Sequence, residues 1–110
     1  MSYLPRQGDI AVMNFQPQTG HEQRGRRSAL VISNESFHRY TGMAIVCPIT
    51  NTDGGFPMHV RLRGSLKTRG VVMCEQVKSL DYTARAAVFV EEIPEEILTD
   101  VLERVRLSLV

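Results

Sequence analysis

A mainly β fold, a strongly bent antiparallel sheet or half-open barrel with one short helix and one C-terminal helix, is what these 110 residues predict. Between Ile10 and Val90 the apolar residues come in strand-length runs separated by polar loops that carry glycine, proline, asparagine and aspartate. Only two stretches read as helix: a short segment after Asn34, and the segment after Pro94, where the apolar period changes to helical. The chain has no internal repeat or low-complexity stretch and is of ordinary single-domain length, so residues 1–110 are expected to form one domain.

Ile10 to Phe15 is a nearly continuous apolar run and the first expected strand, ended by Pro17 and Gly20. Gln16 to Arg26 is a long polar loop for so small a chain, and loops of that length tend to be functional or disordered. Ser28 to Ser33 is a small and β-branched run of the kind that packs on both faces of a sheet. Ser33 or Asn34 can cap a helical turn over Glu35–Tyr40, which Gly42 stops. Met43 to Ile49 returns to strand, with Pro48 expected at its end, where a missing N–H costs little. Phe56 to Arg63 alternates, with Phe56, Met58, Val60 and Leu62 inward and His59, Arg61 and Arg63 on a wet, basic face. Gly64 to Arg69 is expected to turn, Gly70 to Cys74 to be a strand running into Glu75–Ser79, Leu80 to Arg85 to bend, and Ala86 to Val90 to be the last strand. Pro94 suits the first helical position, Glu95 and Glu96 the positive end of the helix dipole. Ile97, Leu98, Val101, Leu102, Val105 and Leu109 then make one apolar stripe.

The net charge is only +1, but residues 1–90 carry eleven Lys and Arg against six Asp and Glu, whereas residues 91–110 carry two against six. A basic body with an acidic tail points to an anionic ligand on the body. The apolar runs are too short for a membrane span, and the N-terminus lacks the pattern of a signal peptide, so a cytoplasmic protein with no membrane partner is expected. Cys47 and Cys74 lie in apolar stretches without paired spacing and are expected as buried free thiols. The histidines His21, His38 and His59 have no metal-ligand spacing, and no glycine-rich phosphate loop leads into a helix, so no metal or cofactor is expected.

What remains is a cluster of arginines, Arg24, Arg26 and Arg27, with Glu22 nearby and the hydroxyl and amide side chains of Gln23, Thr50, Asn51 and Gln76. Arginine forks bind phosphate bidentately and amides read base edges, which suits a phosphodiester. RNA brings its own nucleophile, the 2′-hydroxyl, so cutting it needs only a proton acceptor, cations on the crowded phosphate and a donor toward the leaving oxygen. Glu22 is a candidate acceptor, whereas an arginine, always charged, is a stabiliser. Each of these residues also has a plain structural use, as an ion pair or a turn cap.

Gly8-Asp9-Ile10, the run from Gly20 to Ser33, Cys47-Pro48-Ile49-Thr50, Gly54-Gly55-Phe56-Pro57 and Glu75 to Asp81 together resemble the MazF/PemK family of toxin endoribonucleases, in order and spacing over nearly the whole chain. The resemblance implies an SH3-like barrel with helices, a homodimer, metal-independent cleavage of single-stranded RNA at short sequences, and inhibition by a cognate antitoxin with an acidic disordered tail. It places the central catalytic pair on Arg27 and Thr50, a supporting glutamate on Glu22, the loop glutamine on Gln23 and a further arginine on Arg85; by their own chemistry Arg24, Arg26, Asn51, Gln76 and Lys78 are further RNA-binding candidates, Arg24 and Arg26 adding charge beyond the family's pattern. Ser28 departs from the family's usual proline, Glu75 from its commoner aspartate, and Met73 stands where some relatives use an arginine in catalysis. Two other readings stay open: a toxin of the same fold that poisons a DNA gyrase by binding, and an SH3-like nucleic-acid binding module.

Overall fold

The computed structural model describes residues 3–15 and 25–110. Among them, seven strands form an antiparallel, unclosed sheet with two helices: β1 (Asp9–Asn14), β2 (Arg26–Val31), α1 (Glu35–Thr41), β3 (Met43–Thr50), β4 (His59–Arg61), β5 (Val71–Met73), β6 (Lys78–Asp81), β7 (Val88–Glu92) and α2 (Glu95–Leu107). The spatial order is β4-β5-β3-β2-β1-β7, with β6 also paired to β3. The mainly β architecture with a short and a C-terminal helix is therefore as the sequence predicts.

The three long strands carry continuous apolar stretches, residues 10–13, 29–31 and 43–49, because both of their faces are covered there. Ile10, Leu30 and Cys47 turn toward a core completed by Ile97 and Val101 of α2, while Ala11, Ala29 and Val46 turn to a second cluster with Met13 and Leu80. Burying each large side chain of this kind contributes about 1.5–3 kcal/mol. Cys47 and Cys74 are buried free thiols, as expected.

Helix α1 is capped by Asn34, whose side-chain oxygen accepts the Phe37 N–H, and it ends at Gly42 in the left-handed conformation. Ser33 is instead half of a buried pair. The ring of His38, fully buried, donates from Nδ1 to the Pro5 carbonyl at 2.8 Å, and its Nε2 is hydrogen-bonded to Ser33 Oγ at 2.6 Å. Ser33 Oγ also accepts the Ile45 N–H, so both buried ring nitrogens and the hydroxyl are hydrogen-bonded and the N-terminal segment is tied to β3.

Pro48 lies inside β3, opposite Ala29 of β2, not at its end. Ile45 directs its backbone bonds toward β2, so Pro48, three residues on, points its nitrogen to the other edge. On that edge pairing with β6 covers Met43 to Val46 and pairing with β5 begins only at Ile49, leaving a gap where no N–H is wanted. The segment 56–63 is strand only over His59–Arg61. Val60 and Leu62 are buried as expected, but Phe56 is half exposed and His59 is largely covered, its Nε2 3.2 Å from Glu75 Oε2. The bend expected from Leu80 begins later: Lys78–Asp81 is a strand whose single buried side chain is Leu80. The last strand starts two residues late because Ala86 takes a left-handed conformation, φ 53°, closing the turn before it. Pro94 is the cap of α2, not its first residue, and Leu109 lies past the helix end, exposed. No helix among the described residues is long and apolar enough to cross a membrane.

Candidate active site

Strand β3 is where the sheet divides. Its N-terminal part pairs with β2 and β6, and at Ile49 and Thr50 it takes Val72 and Val71 of β5 as partners. The pairing of β2 with β3 runs from Val31 opposite Val46 to Ala29 opposite Pro48. Continued by two residues, that register sets Arg27 across from Thr50, and cross-strand partners share a face. Where the two strands part, a cleft of about 320 Å³ opens, lined by Arg26, Arg27, Ser28, Ile49, Thr50, Asn51, Thr52, Thr68 and Arg69.

Arg27 enters this cleft from a strand held on its other side by Met13 of β1, so its backbone is fixed close to the guanidinium. Thr50 ends β3, half-buried, and its Oγ1 accepts the Thr52 N–H at 3.2 Å. That bond occupies one lone pair and leaves the hydroxyl hydrogen to be donated into the cleft. Asn51 follows, exposed, and lines both this cleft and a neighbouring hollow of about 300 Å³ that shares Thr68 and Arg69 with it. Among the described residues neither Arg27 nor Arg69 has a carboxylate within ion-pair distance, so the cleft carries cations without a fixed counter-charge. An anion is the complementary occupant.

Arg26 lines the cleft too, but its guanidinium already spans three acceptors: Nη2 donates to the Val12 carbonyl at 3.0 Å and the Ala86 carbonyl at 2.6 Å, and Nη1 to Asn14 Oδ1 at 3.3 Å. It closes the edge between β1 and β7 as well as adding charge. Arg85 sits beside it, donating to the Asn14 carbonyl at 3.3 Å while its own carbonyl accepts the Asn14 N–H, so the two arginines share one corner. Gln76, exposed in the turn after β5, and Lys78, exposed at the start of β6, do not line the cleft. Glu22, Gln23 and Arg24 lie outside the described residues.

Thr68, a residue with no charge or motif to mark it, lines the cleft beside Arg69, one of the basic residues expected to meet phosphates. Their place depends on β5 pairing with the end of β3, a long-range fact with no local signal. Gly70 shows how close the approach is: at φ +111° a Cβ there would lie 2.1 Å from the Thr50 carbonyl oxygen. The segment before β5 therefore rests directly on the residue that carries the candidate hydroxyl.

A family model described as PemK-like, MazF-like toxin of type II toxin-antitoxin system matches residues 6–109. This chain belongs to that family. Endoribonuclease PemK of Escherichia coli is 36% identical over 102 residues, covering 88% of this chain and 76% of that protein. Endoribonuclease toxin MazF of E. coli K12 is 39% identical over 85 residues, covering 77% of this chain and 76% of its own length. Among solved structures, MazE-MazF from Deinococcus radiodurans superposes with a TM-score of 0.90 at 38% identity, covering 98% of this chain and 97% of that one. The PemK/MazF fold found here is thus the seven-stranded, unclosed sheet with two helices described above.

Proposed function

We propose that this member of the endoribonuclease toxins cuts single-stranded RNA at short sequences, without a metal, in the cleft between the start of β2 and the end of β3. The observation that carries the reading is the facing of Arg27 and Thr50 across one cationic cleft large enough for a phosphodiester. The 2′-oxygen of the nucleotide before the cut attacks phosphorus as its proton passes to a base, and the bond to the 5′-oxygen breaks as that oxygen takes up a proton. The products are a 2′,3′-cyclic phosphate and a 5′-hydroxyl. Arg27 holds the phosphate and neutralises the charge that accumulates on its oxygens, and the Thr50 hydroxyl donates to a non-bridging oxygen as that charge builds. Glu22 is proposed as the proton acceptor. Asn51 and Gln23 read base edges, while Arg24, Arg26 and Arg85 supply the basic rim; Gln76 and Lys78, set apart from the cleft, contact RNA beyond the cut.

The toxin is proposed to act in the cytoplasm as a homodimer, with residues 1–110 as one domain of each subunit. A cognate antitoxin with an acidic, disordered tail is the proposed inhibitor, its carboxylates occupying phosphate positions on the same basic face. The family's place in toxin-antitoxin systems and the Deinococcus structure that holds MazE with MazF support such a partner. The test is incubation of the purified chain with mixed-sequence RNA in EDTA. Cleavage at a restricted set of sites supports the reading, and intact RNA at stoichiometric protein overturns it.

A further inference from the structure

Glu91 plays no part in the chemistry assigned to Arg27 and Thr50, yet its carboxylate is committed to the segment that borders them. Oε1 accepts the Lys67 N–H at 3.0 Å, and Oε2 accepts both the Thr68 N–H and the Thr68 hydroxyl at 2.7 Å. Burial works to push this carboxyl up, but the Thr68 and Lys67 donors outweigh it and hold the group below the usual carboxylate range. The strand is shaped for the task. Phe89 opposes Ala11 and Glu91 opposes Ile10, so Val90 is an extra residue at a register shift, a device that re-aims side chains at the edge of a sheet.

Two residues beyond Thr68, Gly70 presses on the Thr50 carbonyl. The segment is thus gripped at one end by Glu91 and seated on β3 at the other, and the residue between the two anchors is Arg69, exposed and lining the cleft with Arg27 and Thr50. Arginine held on a fixed backbone gives up less freedom when it binds phosphate than arginine on a wandering loop. We infer that Glu91 is a positioning residue that acts through Arg69, holding its guanidinium beside the Arg27–Thr50 cleft to take a phosphate adjacent to the one that is cut. The inference rests on the RNA reading above. Because the adjacent phosphate is bound alike before and during reaction, this contact lowers KM and leaves kcat nearly alone.

The test uses a 2′-O-methylated RNA oligonucleotide, which lacks the attacking hydroxyl, so binding is read whether or not the chain cuts. Anisotropy titrations over a salt series compare the wild type with Glu91→Ala, Arg69→Ala and the double variant. Each single variant should bind about tenfold more weakly, with a salt slope shallower by about 0.7. The double variant should be no weaker than Arg69→Ala alone, because the carboxylate has nothing left to position. On unmodified RNA, Glu91→Ala should raise KM about tenfold and change kcat by less than about threefold. Glu91→Gln, which keeps a carbonyl oxygen for Thr68, should recover part of the loss. Should Glu91→Ala fail to fold, Thr68→Val removes only the hydroxyl bond, and its smaller loss should likewise vanish in the Arg69→Ala background. Losses that multiply in the double variant, or wild-type binding by Glu91→Ala, overturn the inference. A wild type that binds the oligonucleotide without cutting unmodified RNA would sink the catalytic reading and leave the Glu91–Arg69 coupling standing on the binding data.

Discussion

Replacing Gly70 with alanine tests whether the placement of Thr50 depends on the close approach of the segment before β5. Its φ of +111° is disfavoured for any residue with a Cβ, a cost of about 1–3 kcal/mol. The added carbon would also lie 2.1 Å from Thr50 O and 2.9 Å from Thr50 C, against an ordinary contact of 3.4 Å or more. Both are backbone atoms that cannot swing aside, so relief requires the end of β3 or the start of β5 to move by about 1 Å, and overpacking of that kind costs a further 1–3 kcal/mol or so. Together the variant should lose about 2–6 kcal/mol. A displacement of about 1 Å in a reacting group is enough to cost roughly a hundredfold in turnover. Gly64→Ala is the control: its φ is +89°, but a Cβ there meets nothing within 4 Å, so it should show the conformational cost without the collision or the catalytic loss. Urea unfolding and single-turnover cleavage read the two effects separately. If Gly70→Ala were within about 0.5 kcal/mol of Gly64→Ala and cut RNA like the wild type, the packing of this segment on Thr50 would have no bearing on the site.

Arg27→Ala should lower turnover by about 10²–10³-fold or more while costing under about 1 kcal/mol of stability; a loss of the size of a core truncation, about 2–5 kcal/mol, would make Arg27 structural. Thr50→Val keeps the volume and removes the hydroxyl, so kcat should fall far more than affinity for a 2′-O-methylated strand; equal losses in the two would point to simple binding. Burial, with Cys74 and Glu75 nearby, pushes the Cys47 thiol up to about 12, and burial pushes Cys74 up to about 11 against the pull of Arg104. Thiols whose native values are raised stabilise the fold fully below the unfolded value near 8.5, and that contribution is lost as the pH climbs toward the native values. Unfolding free energy should therefore decline above about pH 8.5, and both thiols should resist a disulfide reagent at pH 8 until the chain unfolds; rapid labelling of the native protein would contradict their burial.

The elements that were legible in the sequence are those whose pattern is local. The continuous apolar runs of β1, β2 and β3 announce strands, that of β2 one covered on both faces, and Asn34 and Gly42 mark the ends of α1 through groups within a few residues of each other. Pro48 was misplaced because a proline's cost depends on which neighbour its nitrogen faces, and here that neighbour is a gap between β6 and β5. Strand β6 escaped notice because one buried residue, Leu80, in four leaves almost no alternation to read, and its order comes from the ladder with β3. At the site, Arg27 and Thr50 are legible through their family-like motifs, and the register of β2 and β3 supplies the physical reason that both line one cleft. Arg26 was visible only as charge; its three bonds across β1 and the turn before β7 required the fold. Arg69 is legible as charge alone, and Thr68 and Glu91 carry no local signal, since they acquire their place from a contact with each other 23 residues apart in the chain.

If this cleft cuts RNA with the RNA's own 2′-hydroxyl while Arg27 and Thr50 steady the phosphate, removing that hydroxyl alone should stop the reaction. The experiment maps one cut site and uses that oligonucleotide twice, once unmodified and once with a single 2′-deoxy nucleotide on the 5′ side of the cut. In EDTA the unmodified strand should be cleaved to a 2′,3′-cyclic phosphate and a 5′-hydroxyl. The deoxy strand should bind with nearly the same affinity and stay whole. Cleavage of the deoxy strand, or products ending in a 5′-phosphate and a 3′-hydroxyl, would mean that water and not the neighbouring hydroxyl attacks, and the account of this cleft would be wrong.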